Sequence, residues 1–208
     1  MSTELITVFG ATGRTGRALL DAAARRGLAT VAYSRSAHLL SEHAATRIVA
    51  GAADNQDAVT HSLQGARAAV LAYAVRGRSD VFSTGTRTVV HAMRALGVSR
   101  LVVVSESAYG EHLAGATLLK RAAAGTYQLL RRHAMAERRV QDEILVDSGL
   151  SWTTIRAPLL RDRPAQGRPA WHLTPQPGFP PTSTYEDLAD LVLTELENPA
   201  TFRRNLYC

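Results

Sequence analysis

Residues 5–26 read LITVFGATGRTGRALLDAAARR, which is an apolar run, a turn with three glycines and a helix-forming run in direct succession. The apolar run predicts a strand, and the alanine- and leucine-rich run predicts a helix. Gly10, Gly13 and Gly16 stand three residues apart where the strand passes into the helix. A strand joined to a helix by so tight a turn is typical of a βαβ unit, so this stretch predicts a parallel sheet.

The rest of the chain repeats this alternation of short apolar runs and alanine-rich runs. The predicted strands are 5–9, 30–34, 47–50, 68–72, 101–105 and 152–156. The predicted helices are 16–26, 56–63, 80–96, 126–148 and 185–198, with a short turn at 37–43. The pattern predicts an α/β fold, a doubly wound parallel sheet with helices on both faces, formed by a single domain over residues 1–208.

The segment 159–181 departs from this alternation, because it holds six of the eight prolines and few helix signals. Proline is excluded from helix interiors, so we predict an irregular excursion over the sheet edge. Open α/β sheets bind ligands outside the carboxyl ends of their strands, so the excursion is expected to form a lid or wall on the substrate side. A proline-rich surface linker is the alternative.

The glycine turn has the chemistry of a dinucleotide site. Gly10 permits the tight turn, Gly13 permits backbone N–H groups to approach a diphosphate, and Gly16 lets helix and strand pack closely. The dipole of the helix N-terminus adds attraction for negative charge. The sequence therefore predicts that a dinucleotide cofactor binds here, and a purely structural turn is the alternative.

The end of the second predicted strand indicates which dinucleotide is bound. Sites that prefer NAD place an acidic side chain there, whereas residues 32–36 read AYSRS and hold no carboxylate. Arg35 with Ser36 suits a 2′-phosphate, because a guanidinium binds two phosphate oxygens at once. Arg14 is expected to add a second positive charge. These residues predict NADP(H), with a solvated surface role as the alternative for each arginine.

Composition and charge limit the kinds of binding partner that the chain is expected to have. The formal charge is +6, but Lys120 is the sole lysine and the arginines are spread along the chain, so nucleic-acid binding is not favoured. The densest arginine groups, at 131–132 and 138–139, are expected on a solvated helix face. Apolar runs too short to span a membrane and an N-terminus without a signal pattern predict a cytoplasmic protein. We also expect a monomer or a weak dimer. The histidines His38, His43, His61 and His91 lack metal-ligand spacing, so we predict no metal site.

Five motifs carry a family resemblance: VFGATGRTG at 8–16, YSRS at 33–36, LVVVSESAYG at 101–110, SGLSWTTIRAP at 148–158 and TSTYEDLADLVLTEL at 182–196. In these motifs nearly the whole chain resembles the atypical short-chain dehydrogenase/reductase group, specifically the NmrA-like NAD(P)H-binding family and the biliverdin reductase B (flavin reductase) type. The resemblance implies a Rossmann-type fold that binds NADP(H) across the strand ends. It also implies hydride transfer to flat conjugated acceptors such as flavins, quinones or tetrapyrroles, although some relatives bind the cofactor only as a sensor.

The resemblance also assigns residues. The phosphate turn corresponds to Gly10, Thr12, Gly13, Arg14, Thr15 and Gly16, the 2′-phosphate position to Arg35, and the stretch past the ribose to Ala72 and Tyr73. Ser105 and Ser107 match the strand end where relatives place a hydroxyl near the nicotinamide. Two positions depart from the family. The Gly-Asp that contacts adenine reads Gly51-Ala52, which puts that contact in doubt unless Asp54 replaces it, and a histidine of the biliverdin reductase type is Leu159.

The proton chemistry of typical short-chain dehydrogenases is missing. They use a Tyr-x-x-x-Lys pair, and here Tyr127 has only Arg131 at that spacing. An acceptor that is already electron-poor therefore becomes more plausible than a simple carbonyl. Ser107 and Tyr109 are the catalytic candidates, with a strand-end turn as the alternative. Trp171, His172 and Arg161 are weaker candidates for contacting an anionic aromatic.

The leading interpretation is an NADPH-dependent oxidoreductase acting on a small planar aromatic substrate, a quinone or flavin. Two alternatives stay open at this point. One is a redox-sensing regulator that binds NADP(H) without turnover, and the other is a sugar epimerase or ketoreductase.

Overall fold

The computed structural model describes residues 5–41, 45–74, 79–106, 125–126, 129–167, 170–174 and 182–208. Its centre is a sheet of seven parallel strands in the order β3-β2-β1-β4-β5-β6-β9. The strands are β1 (Leu5–Phe9), β2 (Thr30–Ser34), β3 (Arg47–Ala50), β4 (Ala66–Leu71), β5 (Arg100–Glu106), β6 (Ser151–Ala157) and β9 (Arg204–Tyr207). All six predicted strands are present, and the first three have the predicted bounds.

Five helices are described, and they cover both faces of this sheet. They are α1 (Arg14–Arg25), α2 (Gln56–Leu63), α3 (Val81–Leu96), α4 (Arg132–Asp147) and α5 (Tyr185–Glu195), with short 3-10 turns at Ala37–Leu39 and Pro199–Thr201. Helices α1 and α5 pack on one face, and α2, α3 and α4 pack on the other. The prediction of a doubly wound α/β sheet is confirmed.

Alternation along the strands explains why both faces are covered. In β1, Ile6 and Val8 lie in the core under α1 and α5, whereas Phe9 lies in the core under α2, α3 and α4. In β5, Val102 lies in the core under α1 and α5, and Val103 lies in the core under α2, α3 and α4. A strand that is apolar in both directions is stable only when buried on both sides, which is the usual state of a parallel sheet.

The three remaining strands were not predicted. The segment after β6 forms β7 (Leu159–Arg161), which pairs in parallel with β8 (Thr182–Thr184) as a separate two-stranded sheet. Strand β9 follows Arg203, whose φ of 57° turns the chain back beside β6. A positive φ is uncommon outside glycine, and an arginine gives no sequence signal for such a turn.

The proline-rich excursion is attached to the rest of the fold at several points. The carboxylate of Asp187 in α5 accepts hydrogen bonds from the backbone N–H groups of Gln166, at 2.8 Å, and Gly167, at 2.9 Å. Further along, His172 exchanges two backbone hydrogen bonds with Tyr207 of β9, at 2.8 and 2.9 Å. The described parts of the excursion are therefore bound to the sheet edge and to α5, as a wall of the molecule would be.

In the part of the chain that is described, every helix is too short or too polar to cross a lipid bilayer.

Candidate functional site

The glycine turn between β1 and α1 has the geometry that the sequence predicts. Gly10 has a φ of +79°, and a Cβ on it would approach the Ala72 carbonyl oxygen to 2.6 Å. A Cβ on Gly16 would collide with the Gly10 carbonyl oxygen, so the helix begins in direct contact with the turn. Both glycines are thus required by the packing of β1, β4 and α1 against each other.

The N-terminus of α1 is open to an anion. Gly13 is its N-cap residue, no side chain caps the helix, and the first turn holds no acidic residue. The N–H groups of a first helical turn have no partner within the helix, and its dipole favours negative charge. A Cβ at Gly13 would approach only the Gly10 oxygen, at 3.3 Å, so the turn is a cradle that a side chain would partly fill. These features fit a dinucleotide diphosphate.

A hydrogen bond joins this cradle to the end of β2. The Thr12 and Ser34 hydroxyl oxygens lie 2.7 Å apart, and Ser34 Oγ also accepts the Ser36 backbone N–H at 3.2 Å. Arg17 donates to the Thr12 carbonyl oxygen at 3.1 Å and to the Leu39 carbonyl oxygen at 2.9 Å. Ser34 was not assigned a role from the sequence, although a small hydroxyl at a strand end beside Arg35 is a usable signal.

The two arginines predicted to meet the 2′-phosphate lie in different surroundings. Arg35 follows β2 with an exposed side chain and makes no hydrogen bond or ion pair with any described residue. Arg14 is also exposed, and its guanidinium lies 5.4 Å from the centre of the Tyr185 ring in α5. Arg35 is therefore available beside the end of β2, whereas Arg14 lies towards α5.

The loop after β3 carries Gly51 and Ala52, where the sequence departs from the family's Gly-Asp pair. The Tyr33 hydroxyl donates to the Ala52 carbonyl oxygen at 2.7 Å, and a Cβ on Gly51 would collide with that hydroxyl. Burial, with a smaller contribution from the Asp54 carboxylate, raises the pKa of Tyr33 to about 12, so it stays a donor at neutral pH. Asp54 is exposed on this loop, where the sequence placed a substitute contact to adenine.

Tyr73 follows β4 and packs into the same region. Its ring lies against Gly85 of α3, where a Cβ would come within 2.8 Å of Cε2, and its centroid is 6.4 Å from that of Phe9. Its hydroxyl is buried and has no hydrogen-bond partner among the described residues. Burial raises the pKa of this phenol far above its usual value. Ala72, next to it, is buried, and a Cβ on Gly10 would approach the Ala72 carbonyl and the Tyr73 backbone nitrogen. The backbone of both residues therefore lies beside the glycine turn, and their predicted contact with the ribose stays a prediction.

A buried charged network lies beneath the carboxyl ends of β5 and β6. Arg156 donates to Ser105 Oγ at 2.8 Å and to Asp142 Oδ2 at 2.7 Å. The Arg156 side chain is 2% exposed, and that of Asp142 is 27% exposed. Ser105, predicted to contact the cofactor, is itself buried. Arg156 was missed because an arginine at a strand end usually indicates solvent, and its partner Asp142 lies on a different element.

The prediction that the arginines at 138–139 lie on a solvated face is wrong for Arg138. This side chain is buried under α4, where Nη1 donates to the carbonyl oxygen of Val104, at 3.2 Å, and to Gln141 Oε1, at 2.9 Å. Its guanidinium lies 3.6 Å from the centre of the Phe82 ring. Burial lowers its pKa to about 10, opposed by Glu106, so Arg138 keeps its charge at neutral pH.

The buried Arg138 does not supply the proton relay of typical short-chain dehydrogenases. The residue four positions before Arg138 is Ala134, which has no ionisable group. Arg131 donates to the Glu106 carboxylate at 3.1 Å, so it too has a structural partner. Tyr127, Ser107 and Tyr109 lie outside the described residues, and the catalytic assignment of Ser107 and Tyr109 therefore stays a prediction.

The three excursion residues predicted to contact an acceptor are separated in the structure. Trp171 donates to Glu195 Oε1 at 3.0 Å and packs on the core, and His172 pairs with β9 at the edge of the sheet. Arg161, in contrast, lines a cleft together with Arg14 and Tyr185. Of the three, Arg161 is thus brought next to the glycine turn.

Known structures share this fold. The oxidoreductase YlbE from Lactococcus lactis superposes with a TM-score of 0.80 and 19% identity, covering 98% of this chain and 89% of its own. A wide-type short-chain dehydrogenase/reductase from Veillonella parvula, solved in complex with NADP, gives 0.77 at 15% identity, with 98% and 93% covered. The anaerobilin reductase ChuY from Escherichia coli gives 0.76 at 22% identity, with 98% and 96% covered.

The sequence also matches a family model. A model described as NAD(P)H-binding matches residues 10–199, from the first glycine of the turn to the 3-10 turn before β9. The match includes the open N-terminus of α1, the end of β2 and the buried network of β5 and β6. The chain belongs to this NAD(P)H-binding family.

Proposed function

We propose that this protein is an NADPH-dependent reductase that transfers hydride to a planar aromatic acceptor, a quinone or a flavin. The observation that carries the proposal is the cradle at Gly13, opening an uncapped α1 and joined through Thr12 and Ser34 to the strand end that bears Arg35. The solved complex of a structural neighbour with NADP and the reductase name of another support the same reaction class.

The preference for NADPH over NADH rests on the end of β2. Arg35 is exposed and has no partner among the described residues, and no carboxylate stands near it in residues 32–36. An acidic residue there would accept hydrogen bonds from the ribose hydroxyls and repel a 2′-phosphate, whereas a guanidinium binds the phosphate. Ser36 is half-buried next to it and offers a hydroxyl.

The protein's own part in the reaction is binding and orientation. The N–H groups at the start of α1 would hold the diphosphate, Arg35 and Ser36 the 2′-phosphate, and Ala72 and Tyr73 would border the ribose. A bound reduced nicotinamide supplies the hydride. Ser107 and Tyr109, which follow β5, are the residues proposed to contact the acceptor.

The proposed class of acceptor follows from the lack of a Tyr-x-x-x-Lys proton relay in the sequence. A simple carbonyl needs a proton donor at the oxygen, and the sequence offers Tyr127 with Arg131, not a lysine, at the Tyr-x-x-x-Lys spacing. A guanidinium does not release its proton near neutral pH. A quinone or flavin accepts hydride and can take its proton from water, so correct positioning is sufficient.

The test is calorimetric titration with NADP⁺ and NAD⁺, followed by NADPH oxidation over a panel of quinones, flavins and tetrapyrroles. We expect tighter binding of NADP⁺ and turnover with at least one quinone or flavin. Replacing Arg35 by Asp should raise KM for NADPH about 10- to 100-fold relative to NADH, since charge-assisted hydrogen bonds contribute roughly 1.5–3 kcal/mol. Arg87→Asp, at an exposed site on α3, is the matched control.

The redox-sensing regulator is the second candidate, because the absence of a Tyr-x-x-x-Lys pair also fits a protein that binds without turnover. Tight binding of both redox forms with no oxidation of NADPH by any acceptor, together with recovery of a protein partner, would favour the regulator. If the ratio of the KM values for NADPH and NADH is unchanged in Arg35→Asp, the assigned 2′-phosphate site is refuted.

A further inference from the structure

A charged cleft of about 350 Å³ lies between α1, the residues that follow β7 and the first turn of α5. Five arginines and three acidic residues line it, so its net charge is positive. Pockets that hold aromatic rings are lined mainly by apolar side chains. The lining of this cleft suits a small anion better than a ring.

Several of these positive charges are not neutralised. Arg25 is paired with Glu186, at 3.1 Å between Nη2 and Oε1. Arg14, Arg161 and Arg163 are exposed and take part in none of the ion pairs found between described residues. Guanidinium groups bind phosphate and carboxylate in a bidentate manner, so unpaired arginines around one cleft favour an oxyanion.

The wall that carries Arg161 and Arg163 is held at both ends. Arg161 is the last residue of β7 and pairs in register with Thr184 of β8. A few residues later, Asp187 accepts the backbone N–H groups of Gln166 and Gly167. The turn between these two attachments is therefore fixed relative to the start of α5, which reduces the ordering cost of binding.

The cleft joins two places that are distant in the sheet. Arg14 follows β1 and Arg161 follows β6, and β4 and β5 lie between those strands. The segment after β6 must therefore fold back towards the glycine turn for both arginines to line one cleft. An acceptor lying over the strand ends between them would have a substituent within reach of this positive surface.

We propose that this cleft is an anion subsite for the acceptor and binds a phosphate or carboxylate group attached to its ring system. The proposal rests on the proposed reductase function and makes the acceptor an anionic flavin or quinone derivative. Arg161 and Arg163 would be the specificity-determining residues, and the cofactor's own phosphates would remain at α1 and Arg35.

The test compares FMN with riboflavin, which share one ring system and differ by a phosphate group. Flavin fluorescence, measured with saturating NADP⁺, gives both dissociation constants. We expect wild-type protein to bind FMN at least about ten-fold more tightly, which corresponds to about 1.4 kcal/mol. In the double variant Arg161→Ala/Arg163→Ala, the ratio of the riboflavin dissociation constant to the FMN dissociation constant should fall to near one, with riboflavin affinity unchanged. Arg163→Glu should lower this ratio further. Arg87→Ala, an exposed arginine on α3, should leave it unchanged.

Competition against FMN identifies the anion. Displacement by inorganic phosphate but not acetate indicates a phosphate subsite, and the reverse indicates a carboxylate subsite. Equal affinity for FMN and riboflavin, no binding of either flavin, or a ratio that survives the double variant in a protein of unchanged melting temperature overturns the proposal. Failure of the reductase function looks different, because it would leave the preference for FMN intact with no oxidation of NADPH by any acceptor.

Discussion

The hydroxyl groups of Thr12 and Ser34 lie 2.7 Å apart and tie the glycine turn to the carboxyl end of β2. The backbones of β1 and β2 are paired up to Phe9 and Tyr33, so this side-chain bond continues the link beyond the paired residues. The backbone that would hold a diphosphate and the residue that would hold a 2′-phosphate, Arg35, are thereby fixed relative to each other.

Replacing Ser34 by Ala should therefore weaken cofactor binding without altering the fold. Loss of one neutral hydrogen bond costs roughly 0.5–1.5 kcal/mol, so we expect the dissociation constant of NADP⁺ to rise by about 3- to 10-fold. Calorimetry measures it, and Ser34→Thr should restore most of the affinity. Ser62→Ala, a buried serine on α2, is the control for loss of a hydroxyl elsewhere. An unchanged constant in Ser34→Ala would contradict this role.

Alkaline pH should destabilise the protein partly through Tyr33. Burial raises the pKa of Tyr33 in the folded state to about 12 from its usual 10.0, so its stabilising contribution is complete below pH 10 and lost as pH rises through 12. Tyr33→Phe should be less stable at neutral pH, because the bond to Ala52 is lost. Between pH 10 and 12 its stability should fall less steeply than that of wild type, by up to about 1.4 kcal/mol per pH unit.

Urea unfolding at a series of pH values measures this difference. Parallel pH profiles of wild type and Tyr33→Phe would show that Tyr33 does not titrate differently in the folded and unfolded states.

Removing the Arg156 guanidinium should be far more damaging than removing a surface arginine. Arg156→Ala leaves Asp142 and Ser105 without their buried donor, and breaking a buried pair costs about 3–5 kcal/mol. Arg26→Ala removes a pair with Asp190 in which both side chains are 33% exposed, and such pairs contribute about 0–1 kcal/mol. Urea unfolding of both variants tests the contrast. If Arg156→Ala does not fold, Arg156→Lys should fold with intermediate stability. Similar losses of stability at Arg156 and Arg26 would refute the predicted contrast.

The attachment of the excursion to Asp187 predicts a local effect. Asp187→Ala removes the acceptor of the Gln166 and Gly167 N–H groups, so the turn at Arg161 and Arg163 should open more often. We expect faster cleavage by trypsin after Arg161, and a loss of global stability of about 1–3 kcal/mol. Arg163 is followed by Pro164, and trypsin does not cleave an arginine–proline bond. Asp190→Asn, at an exposed ion pair on the same helix, should cleave at the wild-type rate. Equal cleavage rates would mean that β7 and β8 alone hold the turn.

Much of the fold was predictable because local signals and tertiary packing agree. Apolar runs gave β1, β2 and β3 their observed bounds, and the glycine turn led from strand to helix where expected. Strand β9 was not predictable, since it depends on Arg203 at positive φ and on pairing with β6. Strands β7 and β8 are three residues each and are stabilised by each other rather than by their own composition.

The site was predictable where backbone conformation defines it and unpredictable where buried charges do. Gly10 and Gly16 are fixed by contacts that any side chain would break, and such contacts leave a sequence signal. Arg138 and Arg156 look like surface residues, because a charged side chain is rarely buried unless partners surround it. Gln141 is a local partner of Arg138 on the same helix, but Val104, Ser105 and Asp142 lie on different elements from the arginines they contact, so a local pattern does not reveal these buried charges.

The pairing of His172 with Tyr207 has a consequence for association between molecules. Strand β9 ends one side of the sheet, and an open edge strand is a template on which another chain can add a strand. The outward N–H and carbonyl groups of Tyr207 are already bonded to His172 of the same chain. Growth of the sheet into a neighbouring molecule through backbone hydrogen bonds is therefore blocked at Tyr207.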